Sequence, residues 1–236
     1  MPVDLDWKRA IDDPRQPLIE HLTELRQRLI VSLVILALGT SAAWSWSGVF
    51  LDWLVKPAAP LYFSAPTDAF YTRLKAAVFG GFLLTLPLLL HQAWLFVARA
   101  LPPDGRRLTA RLLPASYVLF LSGAALAVCV VVPAAMKFLL AFGSDEIRPW
   151  LGLSSYLEFV TSLALAFGAA FQLPVVLVGL NRLGMVSRAG LAEKRRYVYL
   201  GAVCAAALMT PGPDVISQLA LFLPTVLLFE LTLLAL

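Results

Sequence analysis

The chain alternates long apolar runs with short polar segments. A helix needs about 20 mostly apolar residues to cross a bilayer, and several runs approach or exceed that length. None alternates apolar and polar positions as a strand would, so each run predicts a helix. The candidate spans are residues 29–47, 76–101, 112–136, 156–181, 197–210 and 215–234.

The first run is preceded by a charged segment that also has helical periodicity. QPLIEHLTELRQRLI, residues 16–30, places leucines on one face of a helix, at positions 18, 22, 25 and 29. Polar side chains occupy the other faces. The pattern predicts an amphipathic helix over 16–28 that continues without a break into the first span.

The last two runs predict a short hairpin. YVYLGAVCAAALMT has 14 residues, about 21 Å of helix, whereas the hydrocarbon core is ~30 Å thick. The TPGPD segment that follows cannot continue a helix, and Pro211 lies in it. Asp214 then takes the position of an N-cap.

Proline interrupts most of the longer runs. Each proline removes a backbone donor and bends its helix or leaves a carbonyl for neighbours to satisfy, which predicts a kinked bundle. Simple variety in packing is the alternative, because proline is common in membrane spans. The prolines are Pro87, Pro114, Pro133, Pro174 and Pro224.

The composition agrees with a membrane protein. Hydrophobic residues make up 60% of the 236 residues and charged residues 14%, while soluble domains carry about 25% charged residues. The mean hydropathy is +0.80. No segment between the runs could form a soluble domain. We therefore predict an all-α integral membrane protein with six transmembrane helices, forming one polytopic domain over residues 1–236.

The basic residues predict the orientation. Most of the 19 Lys and Arg residues lie in the N-terminal segment and in the loops 102–111 and 182–196. By the positive-inside rule, both termini are then cytoplasmic. The net charge of +4 does not indicate nucleic-acid binding, because no soluble basic domain is present. On the opposite side lie Lys56, Arg73, Lys75, Lys137 and Arg148.

The sequence offers little catalytic or metal chemistry. Cys129 and Cys204 lie in separate apolar runs without CxxC spacing, so we expect small buried apolar side chains. His21 and His91 lack the HExxH spacing of a zinc site, and no nucleotide-binding or nucleophile motif occurs. The prediction is a protein without metal or cofactor that is not an enzyme.

Polar residues inside the apolar runs remain to be explained. Gln172 lies nine residues from Asn181, about 14 Å along a helix and therefore close to mid-bilayer. Its amide either faces a partner helix or a wet cavity, or it only joins two helices of this chain. We group Gln172 with Gln218 and Glu230 as intramembrane polar residues for partner binding, although Glu230 could also reach an interface by snorkelling.

Several motifs together resemble one family. QPLIEHLTELRQRL is similar to the N-terminal signature of the TatC family, the multi-spanning core of the twin-arginine protein translocase. PLLLHQAWLFVARAL resembles its second span, SSYLEFVTSLALAFGAAFQLPVV its fourth, KRRYVYLGA the start of its fifth, and TPGPDVISQLALFLPTVLLFE its closing hairpin. The five motifs follow in the family's order over nearly the whole chain.

The resemblance implies a core receptor and scaffold subunit. Such a protein binds twin-arginine signal peptides and exports folded proteins across the bacterial plasma membrane, using the proton motive force. It implies single-span TatA- and TatB-type partners and self-association in the receptor complex. Glu24 in the HLTELR stretch would receive an arginine of the signal. Glu24 could instead only pair with Arg28 at i, i+4, and Arg26 would orient the site or contact lipid headgroups.

Two positions depart from the family pattern. The family usually has a glutamate in the first cytoplasmic loop, where this chain has Gly105. Asp104 is one residue earlier and has a shorter side chain, so it is the candidate substitute. The family also usually has a glutamate where this chain has Gln172. A divergent TatC-like paralogue that keeps the fold as a membrane scaffold, without recognising twin arginines, is therefore the alternative function. A small-solute transporter is a third class, but the two halves show no inverted repeat.

Overall fold

The computed structural model describes residues 16–58, 60–63, 65–99, 103–142, 150–182, 184–210 and 214–236. Within these ranges, the side chains of 16–21, 97–99 and 103–111 are not described. Pro211 and the side chains of His21 and Asp104 therefore lie outside the described part.

Helices account for most of the described chain. We number them α1 Gln16–Trp44, α2 Ser47–Val55, α3 Pro66–Arg99, α4 Pro103–Leu126, α5 Val132–Leu140, α6 Leu153–Ala170, α7 Leu173–Arg182, α8 Arg188–Glu193, α9 Arg195–Met209 and α10 Val215–Ala235. A 3₁₀ turn, Lys56–Ala58, follows α2, and a π turn, Ala127–Val131, joins α4 to α5. Extended structure in the described residues is limited to one bridge between Tyr62 and Gly152.

The number of membrane-length spans differs from the sequence prediction. Within the described residues, five segments are long and apolar enough to cross a membrane, not six. The predicted fifth span is the 15-residue helix α9, which is only about 22 Å long. The predicted count of six is therefore not matched by length, because α9, which pairs with α10, is shorter than the ~30 Å hydrocarbon core. The five segments are Leu22–Trp44, Pro66–Phe96, Leu112–Leu140, Leu153–Arg182 and Val215–Ala235.

Helix boundaries extend beyond the apolar runs. The segments predicted as an amphipathic helix and a first span form one helix, α1. Helix α3 begins at Pro66, ten residues before the predicted second span. There the Asp68 carboxylate accepts a hydrogen bond from the backbone N–H of Ala65. Hydropathy marks only the apolar part of a helix, whereas α3 continues into the polar segment PTDAFYTRLK.

Two prolines coincide with irregular backbone. The predicted fourth span is divided into α6 and α7 by a turn at Phe171 and Gln172. Pro174 has no N–H for the carbonyl of Ala170, where α6 ends. The π turn likewise contains Cys129, whose carbonyl would need a donor from Pro133. By contrast, α3 continues through Pro87 without interruption.

Small residues allow α1 and α3 to approach closely. A Cβ atom on Gly81 would lie 2.5 Å from the backbone nitrogen of Thr40, and one on Gly39 would lie 2.4 Å from Cγ2 of Thr85. Contacts this short are possible only without side chains at both glycines. Small residues bring helix backbones together in membrane proteins in the same way.

The largest core cluster joins α2, α5 and α6. Its fully buried members include Leu54, Val132, Leu157, Val160 and Phe167. In contrast to our prediction, Cys129 and Cys204 are exposed free thiols. Their burial could not be inferred from apolar surroundings, because the outer surface of a membrane bundle is itself apolar.

Helix α10 begins with a side-chain cap. The Asp214 Oδ1 atom accepts a hydrogen bond of 2.7 Å from the backbone N–H of Ser217. Ser217 is fully buried, so the cap satisfies a helix-end donor that water could not reach. This contact fixes the start of the second helix of the terminal hairpin.

Candidate functional site

A buried carboxylate lies at the polar end of α1. Glu24 is only 6% exposed. Arg28, one turn further along α1, donates to Glu24 Oε1 through Nε and Nη2, both at 3.4 Å. The structure thus contains the i, i+4 pair that was the alternative interpretation of Glu24. Both contacts are longer than the 2.7–2.9 Å of a strong charge-assisted hydrogen bond.

Arg28 also connects α1 to α3. Its Nη1 atom donates to Gln92 Oε1 at 2.9 Å, a shorter contact than either of its contacts with Glu24. The guanidinium therefore lies between an amide on α3 and the carboxylate on α1. This arrangement holds the Glu24 carboxylate beside α3 rather than leaving it to rotate in solvent.

The other two residues predicted for this site are not seen to join it. Arg26 is exposed, and no contact of its side chain with Glu24 is observed. The side chain of Asp104 lies outside the described residues, so its position relative to Glu24 stays a prediction. Among the described residues, no group of three His, Cys, Asp or Glu side chains is arranged to hold a metal ion.

A second polar site lies where α6 and α7 meet. Gln172 Nε2 donates to the backbone carbonyl of Ser116 on α4 at 2.9 Å. The Ser116 hydroxyl, almost fully buried, accepts from Trp94 Nε1 on α3 at 3.0 Å. Gln172 thus joins three segments of this chain, the role that we set out as the alternative to partner binding.

Gln172 also lines a cavity of about 400 Å³ between α6, α7, α9 and α10. The wall formed by α9 includes Gly201, Ala202, Ala205 and Ala206, whose spacing places them on one face, with Val198 and Met209 at its ends. Thr225 on α10 completes the polar part of the lining. The cavity therefore combines one amide, one hydroxyl and a face of small residues.

Glu230 is engaged within the terminal hairpin. Its Oε2 atom accepts from Arg195 Nη2 at 2.9 Å, and its Oε1 atom accepts from the Tyr199 hydroxyl. Both donors belong to α9. Glu230 therefore ties α10 to α9, and it does not line the Gln172 cavity.

Gln218 lies in the first turns of α10. Its backbone N–H donates to the carbonyl of Asp214 at 3.2 Å, and its side chain is half-buried. It is absent from the lining of the Gln172 cavity. The three intramembrane polar residues that we grouped together thus occupy separate places in the fold.

Several participating residues were missed from the sequence. Gln92, Trp94 and Ser116 are separated from their partners by 22 to 64 residues, and no local pattern identifies such pairs. The small-residue face of α9 did have a signal, because glycine and alanine recur at i and i+4 in LGAVCAAA. Arg195, which opens α9, was counted only for its charge.

Comparisons with known proteins identify the family. The profile described as "TatC: Sec-independent protein translocase protein (TatC)" matches residues 20–224. A Sec-independent protein translocase protein TatC of Carboxydothermus hydrogenoformans is 36% identical over 226 residues, 94% of this chain and 93% of that protein. The TatC of Aquifex aeolicus is 34% identical over 224 residues, 92% of each chain.

A solved structure agrees with the sequence relatives. It is a crystal structure of a twin arginine translocase receptor, TatC, in DDM. The two folds superpose with a TM-score of 0.80 at 33% sequence identity, covering 91% of this chain and 98% of the other. Since the similarity extends over nearly the full length in both sequence and structure, this multi-pass membrane protein belongs to the TatC family of Sec-independent protein translocase subunits.

Proposed function

We propose that this chain is the receptor and scaffold subunit of a twin-arginine translocase in a bacterial plasma membrane. It binds the twin-arginine signal peptides of folded proteins and takes part in their export, which the proton motive force drives. The family membership supports translocation in general. The observation that carries the receptor role is the buried Glu24 carboxylate beside α3.

Carboxylate chemistry explains why the signal needs arginine. A guanidinium is planar and presents two parallel N–H donors to the two oxygens of a carboxylate, whereas a lysine ammonium is a point charge. Arg28 approaches Glu24 through a single oxygen at 3.4 Å. An arginine of the signal peptide would bind both oxygens of Glu24 at a shorter distance than Arg28 does. Arg28 would keep its hydrogen bond to Gln92.

The distribution of basic residues supports an orientation with both termini in the cytoplasm. Arg26 and Arg28 lie near Glu24, and the loop 182–196 is also rich in basic residues. The positive-inside rule places this side, with both termini, in the cytoplasm. Twin-arginine signals are presented to the receptor from that compartment, so the orientation and the location of Glu24 agree.

The Gln172 cavity is suited to an apolar single-span partner. Small residues on α9 permit close approach of another helix, and an amide beside them can bond a polar group in that helix. We assign TatA- and TatB-type subunits to this face. The Glu230 contacts keep α9 beside α10 and so maintain the shape of the cavity.

Export of a folded reporter tests the proposal. This chain and its own single-span partners are placed in cells lacking a translocase core, and periplasmic export is measured for matched twin-arginine and twin-lysine reporters. We expect export of the arginine reporter only. Absence of export from a stably inserted protein would favour the divergent paralogue and overturn the proposal.

A pair of variants locates the receptor site. Glu24→Gln keeps the size of the side chain but loses its charge, and should abolish crosslinking of the signal peptide. Glu193→Gln removes an exposed carboxylate on α8 and should leave crosslinking unchanged. Normal crosslinking in the Glu24 variant would place recognition elsewhere.

A further inference from the structure

A groove of about 500 Å³ lies between α1, α3 and α6. We call it the α3–α6 groove. Its walls are mostly apolar, with Leu36 from α1, Val78 and Phe82 from α3, and Leu165 from α6. Lys75 and Glu158 also line it. Lys75 precedes Phe82 on α3 by seven residues, and Glu158 precedes Leu165 on α6 by seven residues. Each spacing is about 10 Å along the helix axis.

The two charged residues form an exposed pair. Lys75 Nζ lies 3.3 Å from Glu158 Oε2, and the side chains are 45% and 67% exposed. Lys75 also donates to the Ser154 hydroxyl at 3.4 Å. Exposed charges at the edge of an apolar groove place a polar site next to an apolar one, which suits a ligand with a charged head and an apolar tail. The two charges neutralise each other, but most of the Glu158 side chain and almost half of the Lys75 side chain remain exposed.

The level of the pair matches a membrane interface. Arg73, two residues before Lys75, donates from Nε to the Ser47 hydroxyl at 3.2 Å, and its guanidinium lies 5.4 Å from the centre of the Trp44 ring. Tryptophans concentrate where headgroups meet the hydrocarbon core. The apolar part of the groove then runs from this level into the core, as an acyl chain does.

From this arrangement we infer that the α3–α6 groove binds a phospholipid with a zwitterionic, primary-ammonium headgroup, of the phosphatidylethanolamine class. The lipid phosphate accepts from Lys75 and from the Ser154 hydroxyl. The lipid ammonium donates to Glu158. One acyl chain lies along Val78, Phe82 and Leu165. The inference does not depend on the proposed function.

The chemistry of the pair selects among lipids. Phosphatidylglycerol carries a phosphate but no cation, so it would leave Glu158 facing a like charge. Phosphatidylcholine carries a cation without an N–H group and cannot donate to the carboxylate. An apolar helix of another protein would cover the walls but offer no polar group to the exposed parts of the two charged side chains. Of the three, only the primary-ammonium headgroup combines a phosphate for Lys75 with a cationic N–H donor for Glu158.

Lipid retention by the purified full chain tests the inference. The protein in detergent is mixed with equal amounts of phosphatidylethanolamine, phosphatidylcholine and phosphatidylglycerol, and bound lipid is identified by native mass spectrometry. We expect preferential retention of phosphatidylethanolamine. Lys75→Met and Glu158→Gln should each reduce it roughly tenfold, because each removes a charge-assisted hydrogen bond. Equal retention of the three lipids would overturn the inference.

Two further variants separate this site from general effects. Leu165→Trp fills the groove without touching the charges, and it should lose the lipid while its thermal unfolding stays near that of the wild type. Lys137→Met removes an exposed lysine outside the groove and should retain the lipid. In cells, a photoreactive residue at position 165 should crosslink to phospholipid. Crosslinking to another polypeptide would assign the groove to a protein partner and refute the lipid site.

Discussion

Gln92 and Trp94 lie two residues apart on α3 and hold polar groups on two different helices. Gln92 accepts from Arg28 of α1, and Trp94 donates to Ser116 of α4. Ser116 in turn accepts from Gln172 through its carbonyl. A single turn of α3 therefore supports both the Glu24 site and the polar site at the α6–α7 break.

The first prediction concerns the support of Glu24. Gln92→Leu removes the acceptor of Arg28, so Arg28 is no longer held against α3 and the Glu24 carboxylate loses its placement. A hydrogen bond to a charged group is worth about 1.5–3 kcal/mol, so we expect signal-peptide affinity to fall roughly tenfold or more. Fluorescence titration of a labelled peptide against the purified protein measures this.

His91→Leu is the matched control for that change. His91 is the exposed neighbour of Gln92 on α3, and its replacement should leave affinity within experimental error. If Gln92→Leu binds peptide as tightly as the wild type, Arg28 needs no support from α3.

The second prediction concerns Gln172, which donates a hydrogen bond to a carbonyl. A protonated carboxylic acid can also donate, but an ionised carboxylate cannot. Gln172→Glu should therefore be less stable at alkaline than at acidic pH, and Gln172→Leu should lose about 1 kcal/mol at any pH. Thermal unfolding in detergent across a pH series measures both. A Glu variant with the same pH dependence as the wild type would show that the Ser116 contact contributes nothing.

The third prediction concerns the contact between α1 and α3. Gly81→Ala places a methyl group 2.5 Å from the Thr40 backbone nitrogen, which forces the helices apart at a cost of about 1–3 kcal/mol. Gly201→Ala is the control, since no atom lies within 4 Å of its added carbon. We expect a clearly lower melting temperature for the first variant only. Equal melting temperatures would mean that α1 is not held by this contact.

The fourth prediction concerns orientation. Cysteines introduced as Gly105→Cys and Gly190→Cys, in a chain whose two native cysteines are replaced by alanine, should react with an impermeant maleimide only from the cytoplasmic side. Phe142→Cys follows α5, at the opposite end of the bundle, and should react only from outside. Labelling of position 105 or 190 from outside would contradict the proposed topology.

Local features of the chain were well predicted from sequence. The apolar runs indicated helices because membrane crossing demands length and apolarity from one continuous segment. Asp214 was placed at the start of α10 because an N-cap depends only on the next three residues. Pro174 predicted a bend or an unsatisfied carbonyl in its own span, and that span is interrupted at Phe171 and Gln172 because a proline acts on its own helix.

The contacts that form the two polar sites depended on the tertiary structure. The sequence by itself determined the helices, the family motifs and the position of Glu24 at the polar end of α1. Only the fold decided that Arg28 would bond an amide 64 residues away, that Gln172 would bond a carbonyl 56 residues away, and that Glu230 would be bound by α9. The fold likewise decided which apolar residues, including both cysteines, face outward. Apolarity specifies the inside of a soluble protein, but in a bilayer it suits the interior and the surface equally, so burial follows from packing alone.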